Sequence, residues 1–137
     1  MELKFDFYFQ TFPNLKIIVA HGGGSVPYQI GRWRVRRNND MKANPNLEDF
    51  DTSIRRFYYD TNLYNKEALD YCFQICGTDR VMFGTENPGS GTSIDPKTGK
   101  QTDDLAPVID EIAWLTPEDK KNIFEDNARR AFTHGKF

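Results

Sequence analysis

Histidine and cysteine are scarce here: 137 residues contain two of each. Two thiols alone make an incomplete zinc site, and the helical spacing of Cys72 and Cys76 does not favour a disulfide. Both are therefore expected to pack as buried apolar residues. No apolar run approaches the roughly 20 residues needed to cross a bilayer. Charge of one sign is lacking too, since the net charge is −2 and the isoelectric point is near 5.7. That balance gives no support to binding nucleic acid or an anionic membrane surface. The opening stretch "MELKFDFYFQTF" has no basic n-region, clean apolar stretch or small-residue cleavage site, so a cytoplasmic location is the expectation. What remains is 38% apolar, 14% aromatic and 28% charged, the composition of one ordinary folded domain.

Three short β-rich runs stand out, at 15–20, 56–64 and 80–86. The first, "LKIIVA", reads as a strand buried on both faces. Helical stretches lie between them. "PYQIGRWRVRRN" has Pro27 near its first turn, and "KEALDYCFQICG" puts Leu69, Cys72, Phe73 and Cys76 on one stripe, closed by Gly77. "LTPEDKKNIFEDNARRAF" carries the strongest helix-start signal, with Thr116 as N-cap, Pro117 next and two acidic residues in the first turn. Residues 2–12 are a further helix candidate, and 87–101 is a loop dense in Gly, Pro, Ser and Thr. Alternating strands and helices imply an α/β fold with a parallel sheet and right-handed crossovers. Three parallel strands leave unpaired edges, which predicts that the chain forms a homo-oligomer.

Polar residues at the carboxyl ends of such strands are where α/β proteins place their sites. His21 follows the first run directly, Asp60 ends "YYD" in the second and Glu86 closes "FGTE" in the third. Together they would line one rim. Gly22, Gly23 and Gly24 follow His21; a plain turn into a helix is expected to need one glycine, so three point to close approach of a ligand. "HGGG" also occurs as an oxyanion loop, but Ser25, Ser90 and Ser93 all lack the flanking glycines of a nucleophile elbow. Pro27 breaks a dinucleotide fingerprint, and Ile94 stands where a phosphate-binding loop ending in Gly99-Lys100 needs its first glycine. Arg32 has the guanidinium fork that suits a carboxylate. Arg34, Arg36 and Arg37 read as a solvated face, Arg129 and Arg130 as capping or ion-pairing groups, and His134 as solvated.

"FPNLKIIVAHGGGSVPYQIGRWR", "FYYDTNLY", "RVMFGTENPGSG", "IDPKTG" and "IFEDNARRAF" occur in an order that resembles the carboxyl-terminal part of amidohydrolase-superfamily lyases. The branch is the one that includes aminocarboxymuconate-semialdehyde decarboxylase and 4-oxalomesaconate hydratase. "GTE" in place of the decarboxylases' "GTD", with "IDPKTG" and "DD", looks more like the hydratases. The resemblance implies a partial (β/α)8 TIM barrel, strands six to eight with their helices, and a mononuclear zinc in the complete enzyme. It implies that His21 is a general acid/base, Glu86 a metal ligand and Arg32 a substrate-carboxylate contact; Asp60, on the same rim by its strand-end position, is expected to join Arg32 in binding a small unsaturated di- or tricarboxylate. The family's H-x-H pair and its strand-five histidine have no counterpart in this sequence. The expectation is a carboxyl-terminal portion of a metal-dependent lyase, with a non-catalytic oligomerisation or binding module as the alternative.

Overall fold

The computed structural model describes residues 8–9, 11–89 and 91–133. Three parallel strands, β1 (Ile17–Val19), β2 (Phe57–Asp60) and β3 (Val81–Met82), lie side by side in the order β1-β2-β3. Ile17 is opposite Phe57, and Tyr59 is opposite Val81. Helix α1 (Val26–Ala43) follows β1, and a short α2 (Phe50–Ile54) precedes β2. Helix α3 (Lys66–Cys76) connects β2 to β3. Beyond the long loop come α4 (Ala106–Asp110), α5 (Pro117–Lys121), a π-helical turn (Asn122–Asp126) and α6 (Asn127–Ala131). Among the described residues no helix is long and apolar enough to cross a membrane.

The local causes are those the sequence signals. Asn65 caps α3 by accepting the Ala68 N–H, and Gly77, at φ 90°, stops the helix. Leu69, Cys72, Phe73 and Cys76 are its buried stripe, and both cysteines are free. Contact with Cys76 and burial push the Cys72 thiol up, so it stays protonated and donates to the Gly22 carbonyl at 3.6 Å. Thr116 and Asp119 make a reciprocal capping box at the start of α5. The core gathers Tyr59, Leu69, Phe73, Val81, Leu105 and Ile123, among others, between sheet and helices.

Several expectations change. The strand expected at 15–20 is reduced to Ile17–Val19, and Ile18 is 39% exposed, because β1 is an edge strand with one face uncovered by the described residues. The run 56–64 leaves the sheet at Asp60: Thr61 turns its hydroxyl to Gly84, donating to the carbonyl at 2.8 Å and accepting the N–H at 3.0 Å. Side-chain bonds of this kind compete with a continued ladder. The third strand is likewise short, ending at Met82. In the loop expected at 87–101 the described residues are held by internal bonds: Ile94 bridges Gln101, and Asp95 accepts the Lys97 N–H at 2.8 Å. Arg34 and Arg36 are exposed, as a solvated face requires, and pair with Asp51 and with Asp40 of the same helix, while the half-buried Arg37 donates to the Glu48 carbonyl. Arg129 pairs with Glu125. The helix at 2–12 lies mostly, and His134 wholly, outside the described residues.

Asn127 ties the carboxyl-terminal helices to the sheet. Fully buried, its amide donates to the Thr78 carbonyl at 2.8 Å and the Val81 carbonyl at 2.7 Å. Asn127→Leu keeps the volume but strands two acceptors, so we expect a loss on the order of 2–4 kcal/mol in denaturant unfolding. A loss below about 0.5 kcal/mol, the scale of an ordinary surface change, would show that these bonds do not fasten α6 to β3.

Candidate active site at the strand ends

All residues from His21 to Gly24 have positive φ, at 57°, 58°, 82° and 59°. The chain leaving β1 therefore makes a left-handed turn, which costs an L-residue about 1–2 kcal/mol per position. This corrects the expectation that one glycine would suffice. The turn itself uses all three, and packing excludes side chains at two of them. A Cβ on Gly22 would sit 2.5 Å from the Leu63 side chain, and one on Gly23 2.8 Å from the Tyr59 ring. His21 is the residue that adopts this conformation with a side chain attached.

Asp60 holds the turn. Its Oδ1 accepts the Gly22 N–H at 3.0 Å and the Asn62 N–H at 3.2 Å, while Oδ2 accepts from the Asn62 amide at 3.2 Å. Both oxygens thus serve the protein, which makes Asp60 a brace for His21, whereas its strand-end position led to the expectation of a substrate contact. Beyond the far strand, Glu86 brings Oε1 to 3.8 Å from His21 Nε2. His21 is 60% exposed at its side chain and Glu86 24%, so the pair is open on the histidine side. The structure therefore brings His21, Asp60 and Glu86 to one rim.

Arg32 is placed differently. It lies six residues beyond Val26, where α1 begins, about 9 Å along the helix at 1.5 Å per residue. Its side chain is exposed and has no hydrogen bond or ion pair to another described residue.

Tyr64 was missed in the sequence because "FYYDTNLY" reads as one aromatic strand. In the structure it stands past the strand end at φ 58°, and its hydroxyl donates to Glu86 Oε2 at 2.5 Å. That bond to Glu86, with burial and the nearby carboxylates, pushes the phenol up to about 12. Asp103, the first acid of "DD", is 3% exposed, and its Oδ2 accepts from Thr92 at 3.0 Å. Thr92 Oγ1 also lies 3.2 Å from the Glu86 carbonyl, so the loop is strapped back onto the residue it leaves from. The pairing of Thr92 with Asp103 across eleven residues leaves no periodic signal in the sequence.

The amidohydrolase family profile matches residues 3–133. The chain belongs to the amidohydrolase family. The 2-keto-4-carboxy-3-hexenedioate hydratase of Sphingobium sp. is 33% identical over 132 residues, covering 96% of this chain and 37% of that protein. The 2-amino-3-carboxymuconate-6-semialdehyde decarboxylase of Dictyostelium discoideum is 30% identical, covering 93% of this chain and 33% of its own length. Among solved structures, 4-oxalomesaconate hydratase from Rhodopseudomonas palustris superposes with a TM-score of 0.76 at 39% identity, over 91% of this chain and 37% of that one. A dihydroxybenzoic acid decarboxylase from Polaromonas sp. shares the fold at TM-score 0.65 and 24% identity, over 96% of this chain and 38% of that one; it holds manganese and 2-nitroresorcinol. This amidohydrolase chain thus spans about a third of the length of the relatives it matches. Its three-stranded parallel α/β arrangement agrees with a part of such a fold.

Related enzymes hold a divalent metal, manganese in the example above. The residues described here do not make a metal centre by themselves. No group of three or more His, Cys, Asp or Glu converges among them, and one oxygen of Glu86 is engaged by Tyr64.

The left-handed turn gives a direct test. Replacing His21 by Gly relieves the strain and replacing it by Ala does not, so His21→Gly is expected to be about 1 kcal/mol more stable than His21→Ala. Equal midpoints in guanidinium unfolding would contradict a strained His21.

Proposed function

We propose that this chain supplies strands six to eight of a (β/α)8 amidohydrolase barrel, and with them the proton-moving edge of a lyase site. The favoured reaction is hydration of a small unsaturated di- or tricarboxylate. The observation that carries this is the approach of His21 Nε2 to Glu86 Oε1, 3.8 Å apart at the ends of strands separated by β2. Adding water across a double bond conjugated to a carbonyl needs one group to take a proton from water and another to give one to carbon. An imidazole near a carboxylate can serve both ends of that transfer. His21 is the acid/base in this reading, and Glu86 is its partner and the ligand this chain offers to a divalent metal, zinc or manganese. Further ligands would come from outside the described residues. Arg32, exposed and unpaired among them, fits the role of a substrate-carboxylate contact made beyond this rim, and a homo-oligomer would cover the free edge of β1. Similarity to two hydratases, at 33% and 39% identity, supports hydration over decarboxylation.

Turnover is followed as loss of the enoate absorbance with unsaturated dicarboxylates and added manganese or zinc. His21→Asn and Glu86→Gln are each expected to lower kcat by about a hundredfold or more. Full activity in either variant would overturn the assignment. Absence of turnover from a chain that elutes as an oligomer would favour a binding module instead.

The purified chain alone is expected to retain less than one zinc or manganese per molecule by elemental analysis. A stoichiometric, tightly held ion would show that its own residues complete a metal centre.

A further inference from the structure

Tyr64 occupies a conformation that an aromatic residue rarely adopts, at φ 58°, immediately before the Asn65 cap of α3. Such strain persists only where the surroundings enforce it, and it gathers at functional positions. Part of the enforcement is packing, since the half-buried Tyr64 ring rests against the core. The hydroxyl reaches past that core to Glu86 Oε2 at 2.5 Å. A second constraint comes from the loop. A Cβ built on Gly91 would lie 1.8 Å from the Tyr64 hydroxyl and 2.4 Å from Glu86 Oε2. Gly91 is therefore the floor on which the phenol and the carboxylate meet, and any side chain there drives them apart. Meanwhile Glu86 Oε1 is the oxygen that faces His21.

We propose that Tyr64 is a positioning residue for Glu86: its hydroxyl engages Oε2 and so dedicates Oε1 to His21, and Gly91 is the position whose bare backbone permits the arrangement. This rests on the reading of Glu86 as a working group of the site. It adds a residue, Tyr64, that reaches the rim through its bond to Glu86. A donor to one oxygen fixes the carboxylate rotamer and draws charge toward that oxygen, and a charge-assisted bond of this kind is stronger than a neutral one. Without it the carboxylate is free to turn about its last torsion, which has only broad, weak preferences of its own.

The test uses the full chain labelled with 13C at the glutamate carboxyls, the Glu86 resonance being assigned by its loss in Glu86→Gln. Tyr64→Phe keeps the ring packing and deletes only the donor. Gly91→Ala keeps the donor and displaces it. Both are expected to move the Glu86 resonance in the same direction at fixed neutral pH, with a cooperative unfolding transition retained. In turnover, Tyr64→Phe is expected to lower kcat about tenfold at nearly unchanged KM. Combined with Glu86→Gln it should add no further loss, because residues acting through one contact are not additive. A Glu86 resonance that stays put in Tyr64→Phe overturns the proposal, as does a double variant whose losses multiply. If Gly91→Ala does not fold, the Tyr64→Phe resonance decides alone. A chain without turnover removes the functional reading, while the carboxyl resonance still answers whether Tyr64 positions Glu86.

Discussion

The bond from the Gly22 N–H to the Asp60 carboxylate, 3.0 Å long, is the contact on which the rim depends. It joins the end of β1 to the end of β2 across the sheet. It also holds a left-handed turn that the chain would otherwise leave, because His21 bears a side chain where only glycine is at ease. Remove that anchor and His21 has a lower-energy backbone available, pointing elsewhere. A buried thiol braces the same turn from behind, since Cys72 donates to the Gly22 carbonyl at 3.6 Å. The glycines, the aspartate and a helix cysteine thus serve one end, which is to keep an exposed imidazole in a strained place.

The other half of the rim is built by the loop after β3. Glu86 leaves the strand end, Thr92 and Asp103 bring the chain back over it, and Gly91 makes room for Tyr64 to reach the carboxylate. Thr92 has one hydroxyl hydrogen and two acceptors in range, the Glu86 carbonyl at 3.2 Å and the Asp103 carboxylate at 3.0 Å. Sharing it ties backbone and buried acid together. A carboxylate held this way has one oxygen committed to the protein and one turned toward His21. That asymmetry, one oxygen on Tyr64 and one toward His21, sets Glu86 apart from an ordinary loop glutamate.

Local signals were legible wherever a single side chain dictates a backbone event. Gly77, Thr116 and Pro117 stop or start helices where the sequence places them, and the apolar stripe of α3 is buried as its spacing requires. The strand runs were read too long, because β propensity in "FYYDTNLY" persists past Asp60 while the backbone is captured by Thr61 and Asn62. That capture depends on Gly84, a residue 23 positions away in the chain. The strand expected to be buried on both faces has one open, since burial depends on neighbours that the strand's own composition does not name.

By itself the sequence determined the order of elements, the helix caps, the presence of His21, Asp60 and Glu86 at three strand ends, and membership of the amidohydrolase family. Each of these rests on chemistry contained within a few consecutive residues or on motifs in a fixed order. Only the tertiary structure decided that Asp60 braces the turn at His21 and that Tyr64 rather than a strand neighbour meets Glu86. Those are angular and distance relations between segments far apart in the chain. Hydrogen bonds a few ångströms long set them, and no local periodicity encodes them.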